Sequence, residues 1–271
     1  MINIVSEKNI NNGEIIPREN MYELLKQDNA KIYEVVRVIK RKPIFLKEHF
    51  DRMNKSIELS GYGVKMNYDE FNNYINMLIN ANNFENCNVR ISFFINDEPV
   101  ILMYFVESHY PTEEQFKKGI YVVTVKKQRK NPNVKQFESN FRENIDKLLL
   151  EKNAFEAILI NGDDTISEGS KSNVFFVKGN TLVTSVDSAV LLGVTRGKVV
   201  ELCENNGINI EKRNIHLNEL KFFDGAFITG TSNDVLPIRE IDDIVFNSSE
   251  NKVVAGASRL YLSEMEKEMG K

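Results

Sequence analysis

Apolar residues in this chain fall into short strand-length runs and helix-period faces, and their order changes at one polar stretch, residues 107–119 (ESHYPTEEQFKKG). Before it the order reads strands, helix, helix, strands. After it strands and helices interleave. That pattern limits the chain to an α+β architecture with two cores, and 271 residues at about 150 per domain agrees with two. The boundaries predicted are residues 1–110 for a first domain, 111–119 for a linker and 120–271 for a second domain.

In the first domain IYEVVRVI (32–39) is β-branched and ends at a basic turn, Lys40–Lys42, after which KPIFL (42–46) is predicted to pair back as a hairpin. Phe50, Met53, Ile57 and Leu59, closed by Gly61, predict a helix over 49–61. Phe71, Tyr74, Ile75, Leu78 and Ile79 predict a second over 68–83. NVRISFFIN and VILMYFVE follow as strands around Asp97-Glu98-Pro99, which makes this half an α+β sandwich. The second domain reads as strand 120–126, helix 139–152, strands 156–161, 173–178 and 181–185, helix 196–206, strands 208–213 and 225–229, and a terminal amphipathic helix. Thr195 or its neighbour is the expected N-cap of helix 196–206, with Gly207 at its exit.

Net charge is −4, which gives no reason to expect nucleic acid or an anionic membrane as partner. Cys87 and Cys203 cannot make a disulfide framework, and with three histidines they make no convincing metal site. A reduced, cytoplasmic setting fits, since no apolar run approaches a membrane span and MINIVSEKNINNGE is not a signal peptide. There is no Walker loop, no Gly-x-Gly-x-x-Gly after a strand, no Gly-x-Ser-x-Gly elbow and no His-Glu-x-x-His. His49, His109 and His216 read as surface or hydrogen-bonded residues. A hydrolase triad and a metal hydrolase are therefore disfavoured.

What remains is a set of polar residues at strand ends in the second half. SEGSKSNVFF (167–176) places Glu168 just before an apolar strand, where a carboxylate is costly to bury unless it meets a cation or a proton donor. LLGVTRGKVV (191–200) enters a helix through backbone N–H groups and the Thr195 hydroxyl, a setting suited to an anion such as phosphate. FITGTSNDVLPI (227–238) leaves a strand into a second hydroxyl-rich turn, Gly230-Thr231-Ser232. Capping and turn chemistry explain each alone, but two anion turns with one buried carboxylate make a more specific combination.

With Lys135 ahead of them, these segments, together with YEVVRV and FLKEHFDRM in the first domain, resemble the class IV aminotransferases, the pyridoxal-phosphate enzymes of fold type IV. That family includes branched-chain and D-amino-acid aminotransferases and 4-amino-4-deoxychorismate lyases, and the resemblance runs from about residue 30 to about 245. It implies a two-domain α+β fold, with a smaller N-terminal α/β sandwich and a larger C-terminal β-barrel-like domain with helices. It implies pyridoxal 5′-phosphate as cofactor, amino acid and 2-oxo acid as small-molecule partners, a homodimer, and no metal.

Residue by residue, Lys135, 21 positions before Glu156, matches the lysine that the family joins covalently to its cofactor. Glu168 matches the glutamate that keeps the pyridine nitrogen protonated, so that the ring accepts electrons. Arg52 matches a phosphate-binding arginine, and Val194, Thr195 and Thr231 resemble the remaining phosphate positions. Tyr33, Arg37 and Arg90 fall where the family lines its substrate pocket, and Ser232 offers a hydroxyl or N–H to a substrate carboxylate. The bland alternatives are a surface lysine, a helix-surface salt bridge, strand core and solvated strand charges.

Two departures stand out. Asp28-Asn29-Ala30-Lys31 replaces the Gly-rich turn that many members place before the first strand. Ser139 and Asn140 replace an Asn-Tyr pair after the lysine, with Arg142 one turn later. The expected activity is transamination of a branched-chain-like amino acid. The alternatives are elimination of pyruvate from aminodeoxychorismate and a non-catalytic cofactor-binding homologue.

Overall fold

The computed structural model describes residues 3–26, 31–62, 66–94 and 99–270, and of Lys31 only the backbone. Asp28–Ala30 and the Asp97-Glu98 pair therefore lie outside the described residues. The chain divides into two compact units. The first holds Met1–His109, Val134–Phe137 and Met265–Lys271, and the second holds Tyr110–Asn133 and Glu138–Glu264.

The first unit is built from β1 (Lys8–Asn11), β2 (Glu14–Pro17), α1 (Arg18–Leu25), β3 (Lys31–Ile39), β4 (Lys42–Pro43), α2 (Leu46–Leu59), α3 (Tyr68–Ala81), β5 (Cys87–Phe94) and β6 (Val100–Val106). Its six-stranded sheet has the order β2-β1-β6-β5-β3-β4, antiparallel throughout. β3 alternates strictly, with Ile32, Glu34, Val36 and Val38 buried and Tyr33, Val35, Arg37 and Ile39 partly exposed. Against the first row pack Leu46, Phe50, Met53 and Ile57 of α2 and Phe71, Ile75, Leu78 and Ile79 of α3. One member of that inward row, Glu34, is charged.

The expected strand 42–46 is shorter than its apolar residues suggest. Only Lys42 and Pro43 pair with β3. Phe45 turns into the left-handed region at φ 52° and precedes α2, so the helix starts at Leu46, three residues before the expected position.

The second unit contains α4 (Glu113–Lys118), β7 (Ile120–Lys126), α5 (Ser139–Lys152), β8 (Glu156–Ile160), β9 (Thr165–Gly169), β10 (Asn173–Lys178), β11 (Thr181–Thr184), α6 (Val194–Asn205), β12 (Asn209–Lys212), β13 (Ile215–His216), β14 (Gly225–Gly230), β15 (Asp234–Ile241), β16 (Ile244–Val245) and α7 (Lys252–Glu268), whose last turn groups with the first unit. Its ten-stranded mixed sheet runs β12-β11-β10-β14-β15-β7-β8-β9-β13, with β16 paired to β15. Ile120, Val122, Ile158, Ile160, Phe176 and Ile228 form its main core. A second cluster, Val123, Ala157 and Leu159, takes Phe141 and Ile145 of α5. The polar stretch at 111–119 carries α4 and belongs to this unit, with Thr112 and Gln115 forming a capping box.

The structure differs from the sequence pattern at two further points. Glu168 does precede the apolar strand β10, but it lies within a further strand, β9, that the sequence pattern does not predict. The N-cap of α6 is Gly193, not Thr195, and no side chain caps the helix. Thr195 is already in the first turn and buried. Among the described residues no helix is long and apolar enough to cross a membrane.

Candidate active site

In the first unit, Val134–Phe137 runs along the edge of β3 although it lies far from it in sequence. Val134 is anchored in the core that α2 and α3 cover. Ile32 and Gln136 form an antiparallel bridge. Lys135 is then held by both ends of its backbone: its carbonyl accepts from Tyr33 N at 3.0 Å, and its N–H donates to Ser56 Oγ at 3.2 Å. Its Nζ lies 4.9 Å from the centre of the Tyr33 ring.

Ser56 belongs to one face of α2, with His49 and Arg52, because residues three, four and seven apart share a helix face. That face meets β3 at Glu34. Arg52 Nε donates to Glu34 Oε1 at 2.8 Å and Nη2 to Oε2 at 2.5 Å, while His49 Nδ1 lies 2.9 Å from Oε2. Because a carboxylate only accepts, His49 carries its proton on Nδ1. Burial alone pushes the Glu34 carboxyl up, but the Arg52 charge and the bonds from His49 and Arg52 prevail and hold it at about 2. Burial pushes His49 below its ordinary range, and the charges of Arg52 and Lys135 act in the same direction against Glu34.

The opposite face of β3 brings Tyr33 and Arg90 together. The Arg90 guanidinium lies 4.2 Å from the Tyr33 ring centre and 5.0 Å from that of Phe137. Arg90 Nε is buried without a hydrogen-bond partner. Arg37 shares this face but lies four residues beyond Tyr33, about 13 Å along the strand. In the first unit Lys135 thus lies beside Tyr33 and Arg90 and bonds through its backbone to Ser56 on the helix face that carries Arg52, while Arg37 lies further along.

In the second unit the centre is Glu168, buried at 2 % exposure. Arg129 Nε lies 3.0 Å from Oε1, an ion pair without the alignment of a hydrogen bond. Oε2 accepts from Leu191 N at 2.9 Å and Asn173 Nδ2 at 3.2 Å. This is the cation that a carboxylate in ISEGSK requires. Arg129 and Arg142 both donate to the Ser170 carbonyl, at 2.7 and 3.2 Å. Arg142 therefore joins the Glu168 neighbourhood, whereas Ser139 and Asn140 are exposed in the first turn of α5. A second buried carboxylate, Glu156, accepts five hydrogen bonds, from the N–H groups of Ala157, Ser170 and Lys171 and the hydroxyls of Ser170 and Ser172. It clamps the turn that follows Glu168.

Asn173 links this carboxylate to the start of α6. Its Nδ2 also donates to Leu191 O at 2.8 Å, and a Cβ at Gly193 would lie 2.2 Å from its Oδ1. Asn173 pairs with Thr229, one residue before the Gly230–Asn233 turn that carries Thr231 and Ser232. Glu168, the Val194-Thr195 turn and the Thr231-Ser232 turn are thus joined through one side chain and one strand pair.

Each unit, taken by itself, presents groups of a kind that a phosphorylated pyridine requires. Arg52 commits Nε and Nη2 to Glu34, which leaves the Nη1 edge for an anion. The first N–H groups of α6 have no side-chain cap and form the positive end of the helix dipole. Glu168 is a buried acceptor. Sequence reasoning does not single out Glu34, His49, Arg129 or Asn173 as functional. Only Glu34 leaves a clear signal there, as an acid on the apolar row of an alternating strand.

A family model described as amino-transferase class IV matches residues 31–241. The D-alanine aminotransferase of Bacillus licheniformis is 30% identical over 224 residues, 78% of this chain and 78% of that protein. The solved structure of the T.th. branched-chain amino acid aminotransferase with pyridoxamine 5′-phosphate superposes with a TM-score of 0.84 at 20% identity, over 98% of this chain and 96% of that one. That of a putative 4-amino-4-deoxychorismate lyase from Legionella pneumophila gives 0.77 at 16% identity, over 86% and 91%.

Two expectations follow from the geometry. Gly193→Ala must displace Asn173 and should lower stability by about 1–3 kcal/mol in thermal or denaturant unfolding. Gly197→Ala, in the same helix with nothing near its Cβ position, should gain up to about 1 kcal/mol. Glu34 contributes stability that is fully present above pH 4.5 and is lost as pH falls towards 2, because its carboxyl is depressed in the fold. The destabilisation of Glu34→Gln relative to wild type should therefore shrink between pH 6 and pH 3 in urea unfolding, and a gap that stays constant would contradict the assignment.

Proposed function

The chain belongs to the class IV aminotransferase family, and we propose that it moves an amino group from an amino acid to a 2-oxo acid, with Lys135 as the catalytic residue. The cofactor is pyridoxal 5′-phosphate, which when bound supplies the electron sink for the α-carbon. The observation that carries the reading is Lys135 itself. Its backbone bonds to β3 and to Ser56 of α2, on the helix face that also carries Arg52.

Each residue has a definite task. Lys135 Nζ would hold the cofactor and would take the proton from the substrate α-carbon. Arg52 would offer its Nη1 edge to the phosphate, and the N–H groups of Val194 and Thr195 and the Thr231 turn would offer further donors. Glu168 would face the ring nitrogen and favour its protonated form. Arg90, cationic between two rings, and Tyr33 bind the substrate, its carboxylate being the group that Arg90 suits. Arg37 and Ser232 complete the proposed substrate contacts, and a homodimer is the proposed assembly.

A branched-chain amino acid is the proposed donor. D-alanine is the second reading, supported by the relative from Bacillus licheniformis. The test is spectroscopic. Protein loaded with pyridoxal phosphate is mixed with L- and D-amino acids, and the visible band and keto-acid formation are followed. Branched-chain L-amino acids should bleach the band, and Lys135→Ala should lower turnover by at least about 10³-fold. Bleaching by D-alanine alone would select the second reading. Pyruvate release from aminodeoxychorismate without any half-reaction would replace transamination by elimination, and no response to any substrate would leave a non-catalytic binder.

A further inference from the structure

We propose that Glu34 is a positioning residue for the cofactor phosphate: it grips Arg52 by one edge of the guanidinium and so presents the other edge to the phosphate. The proposal rests on the cofactor assignment above and deepens it.

Glu34 occupies the inward row Ile32, Glu34, Val36, Val38 and has no exposed surface. An ionised carboxylate there survives only if donors replace its water. Three do: Arg52 Nε, Arg52 Nη2 and His49 Nδ1. The two Arg52 bonds engage Nε and Nη2 of one planar group, so they fix the plane and hence the direction of Nη1. The Arg52 side chain is only 10 % exposed, and its long stem is ordered before any ligand arrives. His49, 2 % exposed, gives Oε2 a second donor beside Arg52 Nη2 and so helps keep the carboxylate from turning.

Two effects of Glu34 oppose each other. Its charge offsets that of Arg52 and weakens attraction for an anion. Its two-point grip directs the guanidinium and strengthens binding of a phosphate at one place. The bidentate geometry at 2.8 and 2.5 Å favours placement as the larger effect. The two effects predict opposite signs, which makes the proposal sharp.

The experiment titrates the cofactor-free full-length protein with pyridoxal phosphate and with pyridoxal, which lacks the phosphate, following absorbance. Glu34→Gln should raise the Kd for pyridoxal phosphate by about 10–100-fold, as loss of a supporting partner does at metal sites, and leave that for pyridoxal nearly unchanged. In an Arg52→Gln background the same change should add little, because the two residues act as a unit. His49→Asn, which keeps an N–H donor, should bind as wild type, and His49→Leu should shift in the direction of Glu34→Gln. Unchanged or tighter binding by Glu34→Gln would overturn the proposal, as would equal losses for the two ligands. If Glu34→Gln does not fold, the His49 pair decides: a selective loss in Leu but not Asn supports the proposal, and identical behaviour overturns it. Wild-type protein that fails to bind pyridoxal phosphate at all would instead defeat the cofactor reading on which the proposal stands.

Discussion

Glu34 can remain inside the first unit only where donors replace its lost water, and meeting that need with Arg52 and His49 organises the neighbourhood. The carboxylate sits on a sheet face otherwise filled by apolar side chains. Meeting it obliges α2 to turn its His49–Arg52 face towards β3. Once that face is set, Ser56, one turn further on, reaches the backbone of Lys135. A single electrostatic demand thus sets an arginine and a lysine from distant parts of the chain on neighbouring elements. Apolar packing of Met53 and Ile57 alone would tolerate small rotations of the helix, whereas a two-point Arg–carboxylate contact does not.

The second unit solves the same problem twice in different ways. Glu156 meets no cation among the described residues and is instead surrounded by five N–H and O–H donors, which rigidify the turn after β9. Glu168 takes an ion pair with Arg129 and two amide donors, one from a backbone and one from a side chain. The glycines of this region follow from crowding. A Cβ at Gly169 would lie 2.0 Å from Ser172 Oγ, one of the Glu156 donors. The Glu-Gly-Ser and Gly-Val-Thr segments are therefore spelled by steric need as well as by what they bind.

Much of this is legible in the sequence, for identifiable reasons. The α5 and β7 ranges agree with their sequence patterns because the apolar spacing is regular and each is bounded by turn residues. The need of Glu168 for a cation is visible in the sequence, but its partner is not, since Arg129 comes near only through the parallel β7–β8 pair and the β8–β9 hairpin. The start of α6 is misplaced by sequence because Thr195 has capping chemistry, yet the close approach of Asn173 reserves the cap for glycine. Strand β9 escapes notice because TISEG has no apolar run, and its burial comes from neighbouring strands. His49 reads as a surface or hydrogen-bonded residue, and its contact with Glu34 depends on tertiary packing that no local spacing announces.

The account stands on the amine of Lys135 being the group that joins the cofactor. Borohydride reduction of the pyridoxal-phosphate-loaded protein, followed by peptide mapping, reads this directly. The account predicts one stoichiometric label on the peptide containing NPNVKQF, at Lys135. A label on another lysine, or none on fully loaded protein, would contradict it.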